Sequence, residues 1–210
     1  MDVYIVRHGE TQWNKEEVFR GRKDIPLNEA GKKQAEGAGA YFSGRPVSRI
    51  VSSPLTRATQ TAEAISGTTG VPIEKMEEFT DINFGIWEGL PLREVEERYP
   101  SDLTLWKKSP EKLRIEGGES LAMVRERISG GFAKLASGEE GAIAVVTHRV
   151  ICKLMVLYFL RIGDEHFWDM KFDPGSITLL ERRDSQFTLV FSNETCHLKE
   201  ELLGKQHRDF

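Results

Sequence analysis

Short apolar runs alternate along this chain with longer segments in which apolar residues recur at helical spacing. The run Val3-Tyr4-Ile5-Val6 has the length and β-branched content of a buried strand over residues 2–6, and Gly9 ends it. The pattern then predicts a helix over 28–43, a strand over 48–52, a helix over 54–68 and a short strand over 71–74. Residues 90–116 read as a long helical and loop region with apolar positions at Leu103, Leu105, Trp106 and Leu113. A helix over 119–137, a near-continuous apolar strand over 142–147 and a helix over 149–161 follow. Strands over 176–182 and 187–192, flanking a turn at Asp184-Ser185, end the pattern. Such alternation predicts an α/β fold, a three-layer α/β/α sandwich around a mostly parallel sheet. At 210 residues the chain is expected to form one domain with a sizeable core.

Three strands run directly into ionisable groups. Arg7-His8-Gly9-Glu10-Thr11 follows the first strand. Ser52-Ser53-Pro54 follows the second, with Ser53 expected as N-cap and Pro54 at the first helical position, which puts Arg57 in the first turn. His148-Arg149 follows the strand over 142–147. Singly, these read as a surface turn, a solvated helix arginine and a packed histidine. Together they would share one edge of a parallel sheet, where open α/β sheets bind ligands.

These residue types suit a phosphate monoester. Arginine presents a planar fork of N–H donors matched to phosphate oxygens, so Arg7 and Arg57 are expected to neutralise them. His148 is expected to hold a further oxygen through an N–H. His8 is expected to attack phosphorus and carry the phosphoryl group, splitting one difficult hydrolysis into two in-line steps. Neighbouring cations should keep its imidazole neutral, as an attacking nitrogen requires. No metal and no other cofactor is expected, because His166, His197 and His207 lack ligand spacing. The chain also lacks the Gly-x-x-x-x-Gly-Lys-Ser/Thr loop of nucleotide hydrolases.

Composition narrows the partners. A net charge of -4 gives no support to a nucleic-acid role. Residues 150–160 form the longest apolar stretch, too short to span a bilayer and interrupted by Lys153, so no membrane partner is expected. Cys152 and Cys196 form no disulfide framework, and the first strand leaves no room for a signal peptide, so a cytoplasmic location is expected. The expected partner is a small phosphorylated metabolite; monomer and homodimer both stay open.

The motifs taken in order resemble the histidine phosphatase superfamily, also called the phosphoglycerate-mutase-like family. The resemblance rests on Arg7-His8-Gly9-Glu10-Thr11 with Trp13-Asn14, on residues 52–62 (Ser-Ser-Pro-Leu-Thr-Arg-Ala-Thr-Gln-Thr-Ala), and on Thr147-His148. Residues 24–31, Phe84-Gly85-Ile86-Trp87-Glu88-Gly89 and Glu116-Gly117-Gly118-Glu119-Ser120 resemble further family segments. The resemblance implies a phosphoglycerate-mutase-like fold, a phosphohistidine on His8 and a phosphate pocket of Arg7, Arg57 and His148. It implies a phosphoric monoester hydrolase of the histidine acid phosphatase type, with residues 90–116 as a cover over the site.

Three departures from the family pattern matter. Counting back from Gly85 places Asp81 where the family usually has its glutamate acid. Phe79, Ile82 and Phe84 would favour its protonated form by desolvation, as a proton donor needs. Glu10 and Glu88 are the alternatives. Arg149 stands where glycine commonly follows the second histidine; it opens a helix, so its N–H is expected to point at phosphate with its side chain directed elsewhere, while Arg20 stands where relatives often carry an uncharged polar residue. With Asn14 and Arg22, Arg20 would line the mouth and favour an acidic substrate; Asn14 would donate its amide to phosphate. Ile82-Asn83-Phe84 occupies the place where family mutases carry an Arg-rich segment, which favours a phosphomonoesterase over a sugar-phosphate mutase. An inactive relative that binds phosphorylated ligands is the alternative of another class.

Overall fold

A computed structural model of the chain describes residues 2–135, 141–184, 186–199 and 202. Six strands make one sheet: β1 (Asp2–Arg7), β2 (Arg49–Ser52), β3 (Ile73–Lys75), β4 (Ala142–Thr147), β5 (Ile177–Arg183) and β6 (Gln186–Glu194), in the order β3-β2-β4-β1-β5-β6. β1, β2, β3 and β4 pair in parallel, whereas β5 runs antiparallel to both β1 and β6. The sheet is therefore mostly parallel with an antiparallel edge. Ser185 of the expected turn, the last two positions of the helix predicted over 119–137, and His207 lie outside the described residues.

The α-helices are α1 (Gln12–Lys15), α2 (Glu29–Tyr41), α3 (Thr56–Thr69), α4 (Leu92–Arg98), α5 (Pro100–Lys108), α6 (Leu121–Leu135) and α7 (Arg149–Leu160). Strand alternation sorts them onto two faces. Ile143 and Val145 of β4 join Val3 and Ile5 of β1 in the larger core, under Val124 and Ile128 of α6 and Ile151 and Met155 of α7. Ala144 and Val146 turn the other way, toward Ala38 of α2 and Ala58 and Ala62 of α3. Small residues on this second face let those two helices pack close to the sheet.

Within residues 90–116, Leu103, Trp106 and Leu113 belong to the larger core. Trp106 meets Phe84, Phe167 and Trp168 with ring centroids 5.3, 5.5 and 5.3 Å away. Leu105, expected as a fourth apolar member, is exposed. It lies two residues from Leu103 on α5 and so turns to another face of the helix. No helix among the described residues is long and apolar enough to cross a membrane.

Candidate active site

Register brings the motifs together. In the β1–β4 pair Arg7 stands opposite Thr147, and β2 lies on the other side of β4 with Ser52 opposite Val146. The next residues, His8, His148 and Ser53, therefore leave the sheet side by side. His8 donates its backbone N–H to the Thr147 carbonyl at 2.9 Å, and Gly9 donates its own to Thr61 Oγ1 at 3.2 Å. Glycine is required at position 9, because a Cβ there would lie 2.4 Å from the Gly31 carbonyl oxygen.

The hydrogen bonds fix the tautomer of each histidine. His8 Nδ1 is 2.6 Å from the Gly9 carbonyl oxygen, which can only accept. Nδ1 therefore carries the hydrogen and Nε2 presents a lone pair. Burial, then the charges of Arg57, Arg7 and Arg20, hold this imidazole well below its usual titration range, while the Gly9 carbonyl opposes them. The ring of His148 lies 5.1 Å away, centroid to centroid. Arg57 donates its Nε–H to His148 Nδ1 at 3.2 Å, so the His148 hydrogen sits on Nε2, 2.7 Å from Ser53 Oγ. The N–H expected to hold a phosphate oxygen goes to Ser53 in this arrangement. Burial, followed by Arg57, His8 and Arg20, also pushes His148 well down from its usual range.

Arg57 is buried in the first turn of α3. The helix begins at Thr56, later than expected, because Leu55 is extended and serves as N-cap. Asp24 completes the cap from another loop, accepting from the Thr56 N–H and hydroxyl, each at 2.7 Å. The Arg57 fork is largely occupied. Nη1 donates to the Lys23 carbonyl and Nη2 to the Gly21 carbonyl, both at 2.8 Å, and Nη2 also reaches Asp81 Oδ2 at 3.1 Å. Arg57 is thus a fixed charge and a brace as much as a donor. Arg7 is buried beside His8, with Nη1 donating to the Phe172 carbonyl.

Of the three carboxylates considered, Asp81 is the one at the histidines. Its Oδ2 lies 3.7 Å from His148 Nδ1 as well as against Arg57, and its Oδ1 accepts from the Ile82 N–H at 3.0 Å. Phe79, Ile82 and Phe84 are buried nearby, but they do not isolate the carboxylate as expected, since Arg57 reaches it. Glu10 is turned to Asn28 Nδ2 at 2.7 Å, and Glu88 accepts the Arg22 and Phe84 N–H groups at 2.8 and 3.2 Å. Both brace loops.

The remaining predicted residues divide. Arg20 reaches the group, its charge acting on both His8 and His148. Arg149 opens α7 with its guanidinium 5.8 Å from the Trp168 ring centroid. Asn14 turns Oδ1 back to Thr11, accepting from its N–H at 2.9 Å and its hydroxyl at 2.8 Å, and has no partner for Nδ2 among the described residues. Arg22, expected beside Arg20, is drawn instead to Glu119 at 3.1 Å. His166 pairs with Asp169, and His197 donates from Nε2 to the Gly175 carbonyl, both outside this group. No set of three His, Cys, Asp or Glu side chains able to hold a metal occurs among the described residues. Ser53 and Trp168 were not recognisable as site residues: Ser53 reads locally as a cap, and Trp168 reaches Arg149 only through tertiary packing.

The chain is similar to several known proteins. Residues 3–195 match the family model described as histidine phosphatase superfamily (branch 1). The chain is 32% identical to phosphoserine phosphatase 1 of Hydrogenobacter thermophilus over 94% of each chain. It is 38% identical to the uncharacterized phosphatase PhoE of Bacillus subtilis, over 93% of this chain and 96% of that one. The solved structure of Bacillus stearothermophilus YhfR superposes with a TM-score of 0.89 at 28% identity, covering 94% of this chain and 99% of the other. The chain belongs to the histidine phosphatase superfamily.

Proposed function

We propose that this member of the histidine phosphatase superfamily hydrolyses phosphate monoesters of small metabolites through a phosphohistidine on His8, without a metal ion. The observation that carries the reading is the neutral, oriented imidazole of His8, its Nδ1–H held by the Gly9 carbonyl, among the charges of Arg57, Arg7 and Arg20. Such a nitrogen is a nucleophile waiting for an electrophile that the surrounding cations attract. Relatives named as phosphatases support hydrolysis over phosphoryl transfer between substrates.

In the first step the Nε2 lone pair of His8 forms an N–P bond as the ester O–P bond breaks in line. Asp81, the carboxyl group beside Arg57 and His148, is the group placed to give a proton to the departing alkoxide. In the second step water attacks phosphorus, Asp81 takes the water proton, and the N–P bond breaks to release inorganic phosphate. Arg7 and Arg57 stabilise the equatorial oxygens, and Arg57 also aligns Asp81 with His148. His148 and Ser53 hold that brace in place. Asn14 has an amide donor left to offer a phosphate oxygen.

Release of inorganic phosphate from p-nitrophenyl phosphate, followed in the presence of a strong chelator, tests the reading. Steady turnover under chelator is expected. Loss of turnover that a divalent ion restores would contradict a mechanism in which side chains supply all the positive charge.

A further inference from the structure

Gln34 is a polar side chain on the buried stripe of α2, among Gly31, Ala35 and Ala38, and it is only 1% exposed. Its position follows from the glycine one turn before it. α2 opens so close to the loop after β1 that a Cβ on Gly31 would lie 2.0 Å from the Glu10 carbonyl oxygen. Gln34 lies on the same side of the helix as Gly31 and so reaches the same stretch of backbone.

Two backbone groups settle how its amide lies. The Glu10 N–H can only donate, and it meets Gln34 Oε1 at 2.7 Å. The Leu202 carbonyl can only accept, and Gln34 Nε2 donates to it at 2.8 Å. The Glu10 nitrogen belongs to the same peptide unit as the Gly9 carbonyl, which accepts the His8 Nδ1–H at 2.6 Å. One rigid plane is therefore held by Gln34 at its N–H and holds His8 at its oxygen. A line of hydrogen bonds runs from the Leu202 carbonyl through the Gln34 amide and the Gly9–Glu10 peptide to the His8 ring. Each bond in such a chain polarises the next.

We propose that Gln34 is a positioning residue for His8. Through the Gly9–Glu10 peptide it fixes the hydrogen on Nδ1 and orients Nε2 toward phosphorus. It also strengthens the Gly9 carbonyl as an acceptor when that matters most. As Nε2 bonds to phosphorus the imidazole gains positive charge, and its Nδ1–H becomes a stronger donor. The bond to Gly9 tightens more in the transition state than in the free enzyme, which raises the rate and leaves substrate affinity alone. This rests on the reading of His8 as the nucleophile.

Gln34→Met keeps the length of the side chain and removes the acceptor. Gln34→Glu keeps the acceptor, and burial favours its neutral form, whose hydroxyl can donate to Leu202. Rapid-quench measurement of phosphoenzyme formation from p-nitrophenyl phosphate compares them. Gln34→Met should slow the maximal rate by about 10–100-fold, the scale on which losing the hydrogen-bond partner of a metal-bound histidine lowers activity. The half-saturating substrate concentration should not change, and Gln34→Glu should recover most of the rate. Gln60 braces a different peptide in the same manner, its Oε1 accepting from the Leu27 N–H at 2.9 Å. Gln60→Met should leave the rate at the wild-type level. The ¹⁵N resonances of the His8 ring read the tautomer without substrate. Wild type should carry the hydrogen on Nδ1 alone, and Gln34→Met should populate both tautomers. An unchanged rate in Gln34→Met, an equal loss in Gln34→Glu or Gln60→Met, or a single tautomer after Gln34 is replaced overturns the proposal. So does a wild-type ring with its hydrogen on Nε2, a result that needs no variant to fold. Turnover by wild type with no adduct on His8 would instead remove the nucleophile reading, and the tautomer measurement would still judge Gln34.

Discussion

His8 and His148 leave neighbouring parallel strands in register, each one residue past a paired position, and their rings lie 5.1 Å apart. Their surroundings differ in one respect. His8 is tied through Nδ1 to the carbonyl of the next residue, which leaves Nε2 with a lone pair and no protein partner among the described residues. His148 has both nitrogens engaged, Nδ1 by Arg57 and Nε2 by Ser53. Identical side chains at equivalent strand ends are thus assigned to different work by their hydrogen bonds. On the proposed reading, His8 is the one that reacts and His148 the one that holds Arg57 beside Asp81. A tautomer fixed by one backbone carbonyl is enough to make the distinction.

The contrast is most sharply broken by removing the reactive nitrogen. His8→Asn should reduce turnover on the order of 10⁶-fold, the scale observed when a covalent nucleophile is lost. If His148→Asn had as large an effect in steady-state assays, the division of labour would be wrong. The proton donor comes next. Asp81→Asn should slow phosphoenzyme formation from alkyl phosphates by roughly 10²–10⁴-fold, and from p-nitrophenyl phosphate far less, because p-nitrophenolate leaves without a proton. Equal slowing of both substrates would make Asp81 a structural residue. Arg57→Ala should lower kcat/KM by about 10²–10³-fold, as for loss of one preorganised donor to developing charge.

How much of this was legible depends on range along the chain. Arg7, His8, Arg57 and His148 could be read because each directly follows an apolar run or opens a helix, and strand register then does the rest. What failed was non-local. Ser53 reads as a helix cap, yet the cap is completed by Asp24, and Ser53 answers to His148 instead. Arg22 was expected beside Arg20, but a glutamate far along the chain draws it away. α1, four residues long, is too short for any periodicity to announce it. Trp168 packs under Arg149 through a cluster of aromatic residues that local pattern does not connect.

Two smaller effects sharpen the comparison. Ser53→Ala removes the partner of the His148 Nε2–H, leaving a buried donor unmet, and should lower folding stability by about 1–3 kcal/mol in urea denaturation. Stability should also fall with acid. Both histidines titrate below 6.5 when folded, so the unfolded chain binds protons first as the pH drops. The contribution of the two groups is complete above about 6.5 and declines beneath it. A urea midpoint measured against pH should show this decline, and it should be shallower in His8→Asn.

The central claim is that Nε2 of His8, and not His148, bonds to phosphorus. Rapid quenching with ³²P-labelled substrate, followed by peptide mapping, reads this directly. The account predicts an acid-labile, alkali-stable phosphoryl adduct confined to the peptide containing His8. Label on the His148 peptide, or turnover with no trapped adduct under conditions where its formation outruns its hydrolysis, would contradict it.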